Sequence, residues 1–496
     1  MSMLISNNFF ETNFKFILAE FFLVSSVLLL ILFGAFFTVS LRYKFPLIQL
    51  PVVYLSLLVL FFTSILVLNN NYQTEFIFNS TFVFDTFSQN GKFLLLFFAL
   101  VYMLIITAYL NLFKINSFEY VLLLLLSLFG HVLLCSAFDL LSLYLAIELQ
   151  SLALYTLAAF NKKSAYSSEA ALKYFILGAI SSGFLLFGIS LIYGISGTIN
   201  FEELRILMSL NLLDVNLTKI AIVFLCSALL FKISAAPFHI WIADVYEGAP
   251  ITSTVFFATI PKIAVFFVTV RLFYTSFITQ PEFWQLIFCL SSLLSVFIGS
   301  FLALKQRKIK RLFAFSSISN TGYIILSLSS CNVEGVHSAI MYIIFYAITA
   351  LGLWAVILST SCTKNFQKVL TLTEFISNKA NPFLALSVLI FMFSLAGIPP
   401  LMGFFTKFFV IVAAIHSKLF ICSVVVILSS VISTFYYLRV LKIIYFERVL
   451  LQAHKNIVPK QVAFLISIAS SGLLVCFFYP EIIWLISYNT AQTLFF

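Results

Sequence analysis

The stretch LLFKISAAPFHIW, residues 229–241, interrupts a long apolar run with a lysine, a proline and a histidine. Pro237 lacks an amide donor and its ring clashes with the preceding turn, so a helix through this stretch should break there. Lys232 and His239 are seven residues apart, close to two turns, so an unbroken helix would place them on one face. At membrane depth, the carbonyl groups freed by a break need polar partners. The stretch therefore predicts a broken spanning helix beside a wet cavity.

The composition of the whole chain fits a membrane protein. Of its 496 residues, 62% are hydrophobic, 18% aromatic and only 9% charged, and the mean hydropathy is +1.12. Soluble globular proteins carry roughly 25% charged residues. A chain this long with so few charges could not cover its surface in water, which excludes a soluble enzyme, a nucleic-acid-binding protein and a disordered protein. The predicted class is an all-α polytopic membrane protein.

Apolar runs predict about fourteen transmembrane helices. Their approximate bounds are 14–40, 46–68, 93–113, 119–137, 139–160, 169–194, 218–243, 250–277, 283–304, 312–330, 335–360, 383–416, 419–445 and 462–488. The twelfth contains SLAGIPPLMGFFTKFFV, residues 394–410, in which Pro399 and Pro400 precede Lys407. Pro-broken helices 7 and 12, five apart and each with a lysine, predict two inverted five-helix repeats.

These repeats divide the chain into four predicted parts. The parts are three N-terminal helices in 1–118, a first five-helix repeat in 119–277, a second in 283–446, and a C-terminal loop and helix in 447–496. Between helices, residues 76–87 alternate in polarity and predict a hairpin outside the bilayer. Residues 198–217 are amphipathic and predict a helix along the membrane surface.

Basic residues in the connections test the helix count and give an orientation. The connections on one side carry 18 of them: Arg42, Lys44, Lys114, Lys162, Lys163, Lys305, Arg307, Lys308, Lys310, Arg311, Lys364, Lys368, Lys379, Arg439, Lys442, Arg448, Lys455 and Lys460. The opposite connections carry 4: Lys92, Arg205, Lys219 and Lys418. The positive-inside rule places the richer side in the cytoplasm or matrix, and both termini opposite.

Ionisable residues within the predicted helices indicate an ion or proton pathway. Glu148, Lys232, Lys262 and Lys407 lie near the middle of spans, and Lys173 lies one turn inside the sixth. Each mid-span charge costs roughly 2.5–3.5 kcal/mol on insertion scales, so these groups must face protein or water. Structural salt bridges are the simpler alternative. One acid cannot neutralise three bases, which favours a pathway over pairing.

Isolated polar residues add weaker candidates. His239 follows the break and is a candidate proton carrier, whereas a lone buried His131 is more typical of packing. Other hydrogen-bonding groups nearby are Ser142, Tyr144 and Ser151. Arg271 is expected to anchor its helix, and Asp244 and Glu247 are expected at the surface. Scattered cysteines without a C-x-x-C pair, and the lack of a glycine-rich nucleotide motif, predict no cofactor or metal site in this chain.

Several stretches resemble one family. They are residues 231–266, which include FKISAAPFHIW, then LAIELQSLALYTL (145–157), EAALKYFILGAISSGFLLFGISLIYG (169–194), KIKRLFAFSSISNTGYI (308–324) and SLAGIPPLMGFFTKFFV (394–410). Together they resemble the NADH dehydrogenase subunit 2 family, which are antiporter-like membrane subunits of respiratory complex I related to bacterial subunit N and to Mrp antiporters. The resemblance is strong over about 119–446 and weak at the ends.

The resemblance implies roles for individual residues. Glu148 matches the family's key glutamate, and Lys232 the lysine with which it should form a charge pair. Lys262 and Lys407 match the lysines of helices 8 and 12. Lys173 matches the helix 6 lysine, and His239 matches the histidine after the break. The family has no redox centre in this subunit, so NADH, FMN, iron–sulfur clusters and ubiquinone would be bound by other subunits.

The resemblance also implies a location and partners. The stretch DVYEGAPITST, residues 244–254, lacks the insertion expected of the chloroplast relative, which favours a mitochondrial protein of the inner membrane. Its partners would be neighbouring antiporter-like and small membrane-arm subunits and lipids, with no nucleic acid. The 62 phenylalanines suggest an AT-rich organelle genome. The N-terminus lacks the look of a transit peptide, so insertion without a cleaved address is expected.

The expected mechanism is proton translocation coupled to electron transfer in other subunits. Glu148 would hold Lys232 protonated, and separation of the pair would push the proton to Lys262, then through water to Lys407 and the far side. Two other functions stay open. A free secondary antiporter would exchange Na⁺ or K⁺ for H⁺, although a lysine-rich set disfavours a cation site. A scaffold with relic charges would lose assembly, not coupling, when those charges are mutated.

Overall fold

The protein is described here by a computed structural model that covers residues 2–37, 49–69, 74–110, 117–162, 164–361, 371–372, 381–447 and 458–495. Its elements, in chain order, are α1 Ser2–Phe37, α2 Gln49–Leu68, β1 Glu75–Ile77, β2 Phe82–Phe84, α3 Thr86–Leu110, α4 Glu119–Ser136, α5 Leu140–Ala158, α6 Ala165–Ser196, α7 Phe201–Ser209, α8 Val215–Ile233, α9 Ile240–Gly248, α10 Ile251–Thr275, α11 Pro281–Leu304, α12 Ile309–Leu328, α13 Val333–Ser361, α14 Pro382–Ala396, α15 Met402–His416, α16 Phe420–Tyr445, α17 Lys460–Phe478 and α18 Glu481–Gln492.

The predicted class is confirmed: this is a helical, multi-pass membrane protein. Twelve of the described helices are long and apolar enough to cross a membrane. The exact number of fourteen spans, the four-part division and the inverted repeats stay predictions. Some residues used in the sequence analysis lie outside the described part of the chain: Arg42, Lys44, Lys114, Lys163, Lys364, Lys368, Lys379, Arg448 and Lys455.

Three predicted spans are interrupted in the structure. The seventh divides into α8 and α9, and the twelfth into α14 and α15, at the prolines that predicted the breaks. The fourteenth, expected as one helix over 462–488, also divides, so that expectation is wrong. α17 ends at Phe478, and Tyr479 is extended with φ −129° and ψ 70°. The reason is Pro480, since a residue before proline is disfavoured in helical conformation.

The predicted hairpin is present, and its position outside the bilayer stays a prediction. β1 and β2 pair antiparallel, with Phe76 opposite Val83. The hairpin packs against the loop between α4 and α5, where the amide of Phe138 donates to Thr81 O at 2.9 Å. The expected helix within 198–217 is α7, whose Phe201, Leu204 and Met208 are buried.

α10 forms the centre of the domain. It packs against α3, α4, α8 and α13, and its residues from Thr252 to Tyr274 are all buried. α13 is almost as enclosed. Spanning helices that pack on every side cannot meet lipid, so polar groups on them must find partners within the protein. Any ionisable residue on α10 is therefore held in a closed protein environment.

Candidate functional site

The break between α8 and α9 places Lys232 at the C-terminal end of a half-helix. Ser234 adopts a left-handed conformation with φ +69°, and the amide of Ala235 bonds back to Leu230 O at 2.9 Å. Trp241 Nε1 donates to the carbonyl of Phe231 at 3.1 Å. The negative end of the α8 dipole therefore lies next to the Lys232 ammonium, which it favours.

The break between α14 and α15 has the same cap. Gly397 is left-handed with φ +83°, and the amide of Ile398 bonds back to Phe393 O at 3.1 Å. Lys407 Nζ donates to the freed carbonyl of Ala396 at 2.8 Å. The lysines are placed differently, because Lys232 precedes its break whereas Lys407 follows its own. In both, an ammonium lies beside the end of a half-helix.

Gly397 gives a first testable prediction. A Cβ at this position would lie 2.9 Å from Lys407 Cδ, and its φ is unfavourable for any other L-residue. Gly397→Ala should therefore destabilise the protein by about 1–2 kcal/mol and push Lys407 off the Ala396 carbonyl. Thermal unfolding in detergent measures the change. Gly183→Ala in α6, where a Cβ meets nothing within 4 Å, is the matched control and should not destabilise. Equal melting temperatures of the two variants would contradict the prediction.

The expected pair of Glu148 and Lys232 is not a direct contact. No carboxylate oxygen lies within salt-bridge distance of Lys232 among the described residues, although the two charges interact electrostatically. Glu148 Oε2 accepts a long hydrogen bond from Ser151 Oγ at 3.4 Å, and Oε1 is buried without a partner in the described part of the chain. Tyr155, on the same face of α5, lies 5.9 Å by its ring centroid from Lys232 Nζ. Glu148 and Lys232 are thus separated by a gap, beside which Ser151 and Tyr155 lie.

Lys262 occupies the middle of α10. It is 6% exposed, and its Nζ is buried with no hydrogen-bond partner among the residues described. Its nearest cation–π contact is the ring of Tyr346 on α13, 5.4 Å away. An isolated buried ammonium is costly, so a lysine at this position favours a functional role over a structural one.

Tyrosines beside the lysines were missed by the sequence analysis. Lys407 Nζ lies 5.3 Å from the ring of Tyr323, which stacks on Tyr342 at 5.6 Å. Tyr342 is one helical turn before Tyr346, the neighbour of Lys262. These side chains form a polar aromatic row between the two lysines. No sequence signal could have found it, because tyrosine is also an ordinary packing residue.

Lys173 is not brought to the other lysines. Its side chain is 44% exposed and forms ion pairs with Glu169 at 2.8 Å and Asp244 at 2.9 Å. Asp244 also binds Arg311 at 3.0 Å. Glu247 contradicts its expected surface position, since its side chain is 10% exposed beneath ion pairs with Lys308 and Arg311.

The two histidines lie in different environments. His239 immediately precedes α9 as its N-cap and is half-buried at the break. His131 is fully buried on α4, its ring 5.9 Å from that of Phe256, and neither ring nitrogen makes a hydrogen bond of normal geometry within the described residues. Ser142 is used structurally, since its Oγ donates to Asp139 O at 2.9 Å.

The profile described as "NADH:quinone oxidoreductase/Mrp antiporter, TM" matches residues 137–433. NADH-ubiquinone oxidoreductase chain 2 of Marchantia polymorpha is 36% identical over 491 residues, covering 98% of this chain and 99% of that one. The chain belongs to the NADH:quinone oxidoreductase/Mrp antiporter family. NADH-quinone oxidoreductase subunit N of Pelagibacter ubique is another member that it resembles, 40% identical over 437 residues, 88% of this chain and 90% of that one.

A solved structure supports membership of the NADH:quinone oxidoreductase/Mrp antiporter family. A chain of respiratory complex I from Thermus thermophilus with bound aureothin superposes with a TM-score of 0.77 at 27% identity, over 94% of this chain and 98% of that one. The family match runs from before α5 to within α16, so it includes Glu148 and every lysine of the candidate site. Within the described residues of this family member, no group of three or more His, Cys, Asp or Glu side chains could hold a metal ion.

Proposed function

We propose that this chain translocates protons as an antiporter-like subunit of the membrane arm of an NADH:quinone oxidoreductase. The relatives named NADH-quinone oxidoreductase subunit N and NADH-ubiquinone oxidoreductase chain 2 support the assignment to that complex. The proton chemistry is inferred from the enclosed side chain of Lys262 in the middle of α10. Lys232 and Lys407 support it, because each lies beside the end of a broken helix. The partners of the chain are the other membrane-arm subunits. The chain is part of the same oxidoreductase but transfers no electrons itself.

The proposed relay begins at Glu148 and Lys232. The carboxylate stabilises the ammonium form of Lys232 across the gap lined by Tyr155. Withdrawal of that stabilisation, driven by a charge change in a neighbouring subunit, moves the proton toward Lys262. The tyrosine row of α12 and α13 lines the next step, and the Ala396 carbonyl receives Lys407 once it is protonated. Lys173 and His239 would serve the entry side rather than the central row.

The free energy needed to move a proton across the membrane is divided among several steps, so the change at each step is small. Moving one charge against the membrane potential requires about 2.3 kcal/mol per 100 mV. One unit of change in proton affinity supplies about 1.36 kcal/mol. Several lysines acting in series can therefore perform work that one could not.

NADH, FMN, iron–sulfur clusters and ubiquinone are assigned to other subunits, and lipids to the outer faces of the helices. The Marchantia relative supports a mitochondrial location, and we place the chain in the inner membrane. The bias of basic residues supports both termini on the intermembrane-space side, and mitochondrial encoding is part of the same proposal. The matching caps at Ser234 and Gly397 support two inverted five-helix repeats, interrupted at Pro237 and at Pro399 and Pro400.

The assignment to a large complex is tested directly. Native membranes are extracted in mild detergent, separated by size, and searched for this chain by mass spectrometry, with NADH oxidation measured on the same bands. We expect the chain in a very large band that oxidises NADH. A chain that migrates alone near its 56.1 kDa mass plus detergent would instead be a free antiporter. Ion-flux measurements in proteoliposomes would then replace the pumping assays.

Lys232→Arg tests whether this lysine must release its proton. Arginine keeps the positive charge and suits the end of α8, but it does not deprotonate in proteins. We expect an assembled complex with a lower proton-to-electron ratio. Lys219→Arg, on the exposed N-terminal part of the same helix, is the control. A normal ratio in Lys232→Arg would show that a fixed charge suffices here.

A further inference from the structure

A second group of charges lies away from the lysine row, beside the β1–β2 hairpin. Lys92 of α3 and Glu20 of α1 form an ion pair of 2.5 Å, with side chains 3% and 4% exposed. Lys92 was expected to be a connection charge, but it lies inside the protein, 3.9 Å from the ring centroid of Phe84. Because the hairpin follows α2, this face is the one opposite to the basic connections.

A second ion pair lies beside the first and is slightly exposed on its acidic side. Arg271 of α10 donates to Asp85 Oδ1 at 2.7 Å, and its side chain is 2% exposed, so it is not the surface anchor that the sequence suggested. Asp85 is 11% exposed. Burial alone would raise the pKa of Asp85, but Arg271 and hydrogen bonds from Ser88 outweigh it and lower the pKa. Asp85 therefore remains an anion at the slightly exposed side of the cluster.

A small cavity joins the two pairs. Its volume is about 20 Å³, and its polar lining is Glu20, Asp85, Ser88, Gln89 and Lys92. A cavity of roughly 10–15 Å³ with polar walls can hold one water molecule. Glu20 Oε2 is buried and has no hydrogen-bond partner among the described residues. A purely structural role for the Glu20–Lys92 pair would not explain why Glu20 Oε2 is left free in a polar cavity.

The cluster is connected to the central lysine through α10 and α4. Arg271 is nine residues after Lys262, or about 13 Å along the helix axis. Cys135 of α4 lies within electrostatic range of Glu20, Lys92 and Arg271. His131 lies one turn before Cys135 on the same face, packed against α10. A buried imidazole thus lies at the contact of α4 and α10, one turn from Cys135.

We propose that Glu20, paired with Lys92 at this cavity, is the proton-release residue of the subunit on the hairpin side of the membrane. This inference rests on the proposed proton translocation. A proton arriving from the direction of Lys262 bonds to Glu20 Oε2 and gives a neutral carboxyl. Lys92 keeps its proton and its positive charge. The carboxyl then returns its proton to water on the slightly exposed side at Asp85, and the Glu20–Lys92 pair is restored.

Among the described residues, four titratable or charged groups face Glu20. They are Lys92 from α3, Asp85 from the hairpin end, Arg271 from α10 and Cys135 from α4. Two acids and two bases make the cluster neutral at rest. A proton on Glu20 leaves it with a net positive charge, which favours release to the outside and prevents accumulation.

The test compares three variants of the intact complex. Glu20→Gln/Lys92→Met neutralises both partners with side chains of similar size, Lys262→Met is the reference for a blocked relay, and Glu334→Gln is the control. Glu334 pairs with His416 at 2.5 Å, with both side chains more than half exposed, on the same predicted face of the membrane. The measurements are NADH:quinone turnover and the proton-to-electron ratio in vesicles. We expect the double variant to fall to the ratio of Lys262→Met, and Glu334→Gln to match the wild type.

The outcomes separate this inference from the proposed function. A lowered ratio in Lys262→Met with a normal one in the double variant would overturn the release site alone. Normal ratios in both would overturn proton translocation as well. If the double variant does not assemble, the wild-type complex is treated with dicyclohexylcarbodiimide, which modifies protonated buried carboxyls, and Glu20 is followed by peptide mass spectrometry. Faster labelling during NADH turnover than at rest supports the site, and equal labelling overturns it.

Discussion

Lys262→Met should stop proton movement through this subunit while the chain remains in its complex. Methionine is close to lysine in length and carries no charge to bury. Because Lys262 Nζ has no hydrogen-bond partner within the described structure, its removal leaves no orphaned group behind. Losing a positioned acid–base group typically slows proton transfer by about 10²–10⁴-fold. Assembly should be unaffected, whereas the proton-to-electron ratio should fall.

The measurement is proton uptake into vesicles that contain the complex, followed with a pH-sensitive dye during NADH oxidation. Thr269→Val on the same buried helix is a matched control. Within the described part of the chain, its hydroxyl bonds only to Phe266 O in its own turn, at 2.7 Å, so its loss should leave pumping intact. A scaffold would behave differently, since loss of the buried charge would disturb assembly or nothing at all. A normal ratio in Lys262→Met would remove the relay from this chain.

Glu148→Gln should have the second-largest effect. The substitution keeps the shape of the side chain and its contact with Ser151, but it removes the negative charge that stabilises protonated Lys232 across the gap. Without that charge, the ammonium form of Lys232 is no longer stabilised at the start of the relay. We expect the complex to assemble, and both the pumping ratio and NADH-driven turnover to fall by about tenfold or more.

Two controls make the Glu148 result specific. Ser151→Ala removes a hydrogen bond of 3.4 Å, which is weak by length, and should change turnover only slightly. Glu148→Asp keeps the charge and should retain more activity than Glu148→Gln. If the aspartate and glutamine variants lost activity equally, the position would matter for packing and not for charge. The ratio of their turnover rates therefore distinguishes the two explanations.

The class of the protein and the places where helices break were determined by the sequence alone. Low charge over 496 residues leaves only a membrane environment. Pro237 and the pair at 399 and 400 each lie at a helix break in the structure, because the missing amide and the ring clash disrupt the helix within one turn. The family motifs added the identities of the buried lysines. Such properties depend on neighbours in the chain, so a sequence can reveal them.

Other features were decided only by how the helices pack. Lys173 and Lys262 both lie within apolar helices, yet one is exposed in an ion-pair network and the other is enclosed in the central helix. Arg271 finds Asp85, which is 186 residues away in sequence. The tyrosines beside the lysines and the gap between Glu148 and Lys232 belong to the same group of features. Each depends on the rotation and depth of one helix against another, and no local rule of the chain specifies those quantities.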